Sequence, residues 1–205
     1  MKFNYKKSLG QNFLMDKNKI NQIIESIEVR ENDLIVEIGP GAGAITKELI
    51  KKNCDVLCFE IDIRLKDILS KIDSDKLEIV YQDFLTINLS DYINYSKYKK
   101  IIFVGNLPYY ITTAIINKII DYNHADEIVI MVQKEVAERF MAKPNSKKYN
   151  SLSVFLQYHF NIFSRIFKFY NSFDIKIKSS IVKLSALYVK SLFIFFKIFS
   201  ILIKS

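Results

Sequence analysis

The chain has 205 residues, half of them hydrophobic and a quarter charged, with a formal net charge of +8. That balance excludes wholesale disorder, two cysteines exclude a disulfide-built scaffold, and the length suits one globular domain with an appendage. The charge is uneven: residues 1–30 carry six basic side chains against three acidic, residues 31–133 eleven against sixteen, and residues 134–205 thirteen against three. An acidic middle between basic ends suits a cationic small molecule at the centre and a polyanion gripped from the flanks. The plainer reading is a lysine-rich composition, since only four of the 30 basic residues are Arg.

From the N-terminus, residues 16–28 predict an amphipathic helix with Asp16 as its N-cap and Ile20, Ile23, Ile24 and Ile27 on one face. Residues 34–38 form a short apolar run ending in a glycine turn, a first buried strand, and residues 45–52 follow with helical spacing. Further strands are expected at 56–60, 77–81, 100–104 and 128–132, with helices at 64–71, 115–120 and 134–141. This alternation predicts an α/β fold, a Rossmann-like, doubly wound and mostly parallel sheet. Residues 1–184 read as that domain and 185–205 as an apolar tail.

Cys54 and Cys58 have no further Cys or nearby His, so neither a metal centre nor a disulfide is expected; reduced thiols in a cytoplasmic protein fit best. His124 and His159 each stand alone and read as structural or surface residues. The basic N-terminus lacks an apolar run of secretory length. Residues 187–203 approach transmembrane length, but Lys190 and Lys197 interrupt them, each costing roughly 2.5–3.5 kcal/mol near mid-bilayer. A tail held to its own domain or to a partner is the expectation, not a membrane span.

Ligands of such folds lie at the carboxyl ends of the strands. Gly39 follows the first expected strand, Glu60 ends the second, Asp83 follows the third and Asn106 follows the fourth. The turn Gly39-Pro40-Gly41-Ala42-Gly43-Ala44 also fits the dinucleotide fingerprint, with Glu60 near the ribose-acid distance, so a nicotinamide dehydrogenase is a rival. Glu37 and Asp83 argue against it: negative charge on that rim repels a pyrophosphate and attracts a sulfonium. S-adenosylmethionine, with a sulfonium, an amino group and no phosphate, suits an acidic site. Gly39 and Gly41 would admit its methionine part, Glu60 would accept both ribose hydroxyls, and Asp83 would accept from its adenine amine.

Asn106-Leu107-Pro108-Tyr109 suits the other substrate. An adenine amine is a poor nucleophile because its lone pair is delocalised into the ring. An asparagine carbonyl and a main-chain carbonyl, that of Pro108 in this reading, would accept its two hydrogens and free the pair for attack. Tyr109 would stack on the flipped base, worth about 1–3 kcal/mol. The bland alternative is a strand-to-helix turn with a buried tyrosine.

Ser8-Leu9-Gly10-Gln11-Asn12-Phe13-Leu14, the stretch Val36 to Gly43, and Gly105-Asn106-Leu107-Pro108-Tyr109 together resemble the ribosomal RNA adenine dimethyltransferases. Met131 to Ala137 and Pro144-Asn145-Ser146-Lys147-Lys148-Tyr149 resemble the branch that modifies small-subunit RNA, the KsgA type, over residues 7–160. The resemblance implies that Asn12 and Leu14 line the donor site with Gly39, Glu60, Asp83 and Asn106. It implies dimethylation of two adjacent adenosines in the terminal hairpin of small-subunit RNA, on an immature subunit. RNA contacts are expected from Lys6, Lys7, Lys143, Lys147 and Lys148, in a cytoplasmic monomer without metal. The alternatives are a family remnant that binds donor or RNA without turnover and, more remotely, the large-subunit enzymes of macrolide resistance.

Tyr110 stands where many relatives have asparagine, Ala114 where many have proline and Asn150 where glycine is frequent. Residues 173–180 lack the family's prolines, residues 181–184 resemble its last strand, and the tail resembles nothing in it. The family's helical C-terminal domain is therefore expected to be largely missing, as a frameshifted or degraded gene end would leave it.

Overall fold

The computed structural model describes residues 14–108, 110–166 and 179–186. Helix α1 (Lys17–Glu25) starts at Asp16, whose side chain accepts from the N–H groups of Asn18 and Lys19. Seven strands follow: β1 (Asp33–Ile38), β2 (Asp55–Phe59), β3 (Leu77–Val80), β4 (Lys100–Asn106), β5 (Glu127–Gln133), β6 (Phe160–Ile166) and β7 (Ser179–Ala186). They form one sheet in the order β3-β2-β1-β4-β5-β7-β6, parallel through β5, with β7 antiparallel to both neighbours. The order reverses direction between β1 and β4, which opens a crevice at their carboxyl ends.

The other α-helices of the described residues are α2 (Thr46–Leu49), α3 (Lys66–Leu69), α4 (Thr112–Tyr122), α5 (Lys134–Phe140) and α6 (Ser151–His159). β1 is buried at all six positions, because helices cover both faces of the sheet. Its alternate residues feed two cores. Leu34, Val36 and Ile38 pack with Phe59, Phe103 and the isoleucines of α4, while Ile35 packs with Cys58, Val104, Leu49 and Ile23. Both cysteines are free and buried, as the sequence suggests.

The mostly parallel sheet is the expected one, and each expected strand lies within two residues of an observed one. α2 and α3 are shorter than their hydrophobic spacing implies: Lys51 and Lys52 turn back to carbonyls only three residues away, and the α3 segment enters through a 3-10 turn over Ile63–Leu65. α4 is longer than expected. Its first turn is stabilised at Pro108, whose carbonyl oxygen accepts from Ile111 N–H at 3.2 Å and Thr112 Oγ1 at 2.9 Å. Two elements carry no clear sequence signal. α6 is apolar on exposed and buried sides alike, which blurs its period, and Asn150 with Ser153 closes a capping box at its start. β6 interleaves polar and apolar residues irregularly.

Candidate active site

The crevice is a cavity of about 310 Å³. Gly39 and Gly41 from the turn after β1, Glu60 after β2, Asp83 after β3 and Asn106 at the end of β4 all line it, joined by Leu14 from the N-terminal segment. The four strand ends singled out in the sequence therefore meet in one place. Asn12, Tyr109, Lys6 and Lys7 lie outside the described residues.

The glycine turn is shaped by backbone conformation and by space, at different positions. Gly39 has φ +69°, with nothing within 4 Å of where a Cβ would sit; its left-handed conformation alone demands glycine. Gly43 has φ +77°, and a Cβ there would also collide with Ile72 Cδ1 and come within 3.2 Å of Leu69 Cδ2.

Glu60 is buried, and its two oxygens are already engaged: Oε2 accepts Gly41 N–H at 3.0 Å and Oε1 accepts Asp62 N–H at 2.8 Å. Burial raises its carboxyl above the ordinary value, and those backbone donors oppose the rise. A carboxylate oxygen accepts more than one hydrogen bond, so two hydroxyls can still be received. Asp62 is buried too and is gripped by Arg64 through Nε at 2.8 Å and the terminal nitrogen at 2.5 Å. Its part in holding Glu60 was not evident from sequence; the Asp-Ile-Arg run after Glu60 is the signal. Asp83 is half-buried, with Oδ1 accepting Leu85 N–H at 2.9 Å.

Two expectations need correction. Glu37 does not line the cavity. It lies on the sheet face opposite to Ile38, 1% exposed, and accepts from Thr46 Oγ1 at 2.6 Å and from Cys58 Sγ at 3.5 Å. Burial pushes its carboxyl up to about 7, against the lowering effect of those bonds. The acidity of the cavity wall thus rests on Glu60 and Asp83. The second correction concerns Pro108: both lone pairs of its carbonyl are used by α4, so it is not the main-chain acceptor of an amine. Leu107 also lines the cavity, and its carbonyl receives no donor from the described residues.

Asn106 is held by the ladder between β4 and β5, opposite Met131. Gly105 before it admits β1 closely: a Cβ there would stand 3.0 Å from the Ile38 carbonyl oxygen. Tyr110 also lines the cavity and is 54% exposed, and Ile61 lines it at 53%. Tyr110 falls within the acceptor segment that the sequence marks, Asn106 to Tyr110, whereas Ile61 carries no sequence signal beyond following Glu60.

Lys143, Lys147 and Lys148 are exposed on the loop between α5 and α6, away from the cavity lining. Lys148 is paired with Glu138, which Lys134 also approaches at 3.3 Å. The Lys148 contact is the main cause that holds the Glu138 carboxyl below its ordinary value.

The strand order with its antiparallel β7, and a glycine turn facing acids at the ends of β2 and β3, define the Rossmann-like methyltransferase class. A crystal structure of a dimethyladenosine transferase from Plasmodium falciparum shares the fold, with a TM-score of 0.74 at 24% identity, over 86% of this chain and 64% of that one. The 23S rRNA methyltransferase ErmE gives 0.69 at 27% identity, over 86% and 70%. The profile of the ribosomal RNA adenine dimethylase family matches residues 2–188, and this chain belongs to that family. Ribosomal RNA small subunit methyltransferase A of Bacillus pumilus is 46% identical over 162 residues, covering 77% of this chain and 56% of that protein. The same-named protein of Mycoplasmopsis synoviae is 49% identical, covering 76% and 59%. The chain therefore spans under three-fifths of the length of these relatives. Family membership removes the dehydrogenase reading.

Proposed function

We propose that this chain dimethylates the exocyclic amines of two adjacent adenosines in the terminal hairpin of small-subunit ribosomal RNA, using S-adenosylmethionine. The observation that carries the reading is that Asn106 and Glu60 line one cavity. S-adenosylmethionine supplies an electrophilic methyl group on its sulfonium when bound. Glu60 receives ribose hydroxyls, the second oxygen of Asp83 receives an adenine amine, and the glycine turn leaves bare backbone for the methionine end.

On the acceptor side, the Asn106 amide oxygen and the Leu107 carbonyl accept the two hydrogens of the target amine. That favours a pyramidal nitrogen whose lone pair is no longer shared with the ring. No strong base is required, since the amine proton becomes acidic only after the nitrogen carries four bonds. Tyr109 stacks on the base, and Lys143, Lys147 and Lys148, with Lys6 and Lys7, contact phosphates. Action on an immature subunit by a cytoplasmic monomer completes the proposal.

The test is transfer of labelled methyl groups to undermethylated small subunits, with Asn106→Ala beside the wild type. Transfer reduced by about 10²–10³-fold in the variant is expected, the scale of losing one group that acts on the reacting atoms. Donor binding without any transfer by the wild type would instead mark a binding protein of the same family.

A further inference from the structure

Lys118, at the middle of α4, has no acidic partner among the described residues, yet it is not a solvated surface lysine. Its half-buried side chain crosses to the loop after β3, where Nζ donates to the carbonyl oxygens of Leu85, at 3.0 Å, and Ile87. The same ammonium lies 6.0 Å from the centroid of the Phe84 ring. One cation thus grips the loop that contains Asp83, Phe84 and Leu85, three residues of the cavity wall. Leu85 is fixed from both sides: its N–H is bound to Asp83 Oδ1 and its carbonyl to Lys118. α4 itself starts at the Pro108 carbonyl, in the acceptor turn.

We infer that Lys118 is a positioning residue that sets the adenine end of the donor site by clamping the β3 loop to the helix springing from the acceptor turn. The inference rests on the donor-site reading above. Lys118 touches neither substrate; it acts through Leu85 on the orientation of Asp83. A flexible lysine loses much rotamer freedom when its head is held in one place, so two charge-assisted bonds must outweigh that loss.

Calorimetric titration of the full chain with S-adenosylhomocysteine and, separately, with adenosine tests this. Lys118→Met keeps the aliphatic stem and removes the donors. It should weaken both ligands by a similar factor, about tenfold, which corresponds to about 1.4 kcal/mol. Lys118→Arg, which restores donors, should recover both affinities to within about threefold of wild type by the same conversion. Lys118→Gln, with one donor group, should fall between and serves if the Met variant does not fold. Unchanged affinities in the Met or Gln variant, a loss confined to S-adenosylhomocysteine, or an Arg variant as weak as Met would overturn the inference. Wild type that binds neither ligand would instead remove the donor-site reading and this inference with it.

Discussion

The donor and acceptor sides of the cavity are held by different means. On the donor side, carboxylates do double service: Glu60 binds the N–H groups of Gly41 and Asp62, and Asp83 binds that of Leu85, so each acid shapes the loop that presents it. On the acceptor side, order comes from the β4–β5 ladder at Asn106 and from the capture of the Pro108 carbonyl by Ile111 N–H and the Thr112 hydroxyl. The contrast teaches that a donor-side substitution should change both loop shape and ligand affinity. A substitution at Asn106 should act on transfer more than on donor affinity.

The largest structural effect should come from the glycine turn, and its two ends should differ. Gly43→Ala meets both a left-handed backbone and the Ile72 and Leu69 side chains, and should cost about 2–4 kcal/mol in urea unfolding. Gly39→Ala meets the backbone penalty only, about 1–2 kcal/mol. Equal costs at the two positions would show that packing against α3 is not what Gly43 provides.

A smaller effect concerns the buried acid behind that turn. Glu37 has a carboxyl raised from 4.5 to about 7, so the folded state favours its protonated form. The stability this gives is fully present below pH 4.5 and is lost as pH rises to about 7. The loss is at most about 1.4 kcal/mol per pH unit in that window. Glu37→Gln removes the titration, so the melting temperature of the wild type should decline relative to the variant across that range. A wild type that gains on the variant as pH rises would mean an ionised Glu37 in the fold.

How far the sequence revealed these features depends on which physical rule each obeys. Gly39, Glu60, Asp83 and Asn106 were legible because strand ends, not side-chain details, place them. Glu37 was misplaced although the period of two along β1 separates it from Ile38, which does line the cavity. Negative charge beside a glycine turn suggests a ligand-facing group, but the alternation of β1 turns Glu37 to Thr46 on the other face. Pro108 was misassigned because the direction of its carbonyl depends on how α4 begins, a matter of Thr112 and Ile111 four and three residues away. α6 escaped notice because Val154, Phe155 and Tyr158 on its exposed side are as apolar as Leu156 on its buried side.

The smallest expected effect is on the exposed loop. Lys147→Ala should weaken RNA binding about equally for all sequences and reduce the salt slope by about one. Lys148→Ala should do less, because Glu138 already neutralises part of its charge. A sequence-selective loss at Lys147, measured by filter binding over a salt series, would point to base contact instead.

The central claim is that one cavity holds two separable tasks, donor capture at Glu60 and amine activation at Asn106. The direct measurement pairs S-adenosylhomocysteine affinity with single-turnover methyl transfer for Glu60→Ala and Asn106→Ala. Glu60→Ala should lose about 10²-fold in affinity, the loss of two hydrogen bonds to a charged group. Asn106→Ala, on the wall of the same cavity, should lose less affinity than Glu60→Ala and should lose transfer. Equal loss of affinity in both variants, or full transfer by Asn106→Ala, would contradict the division.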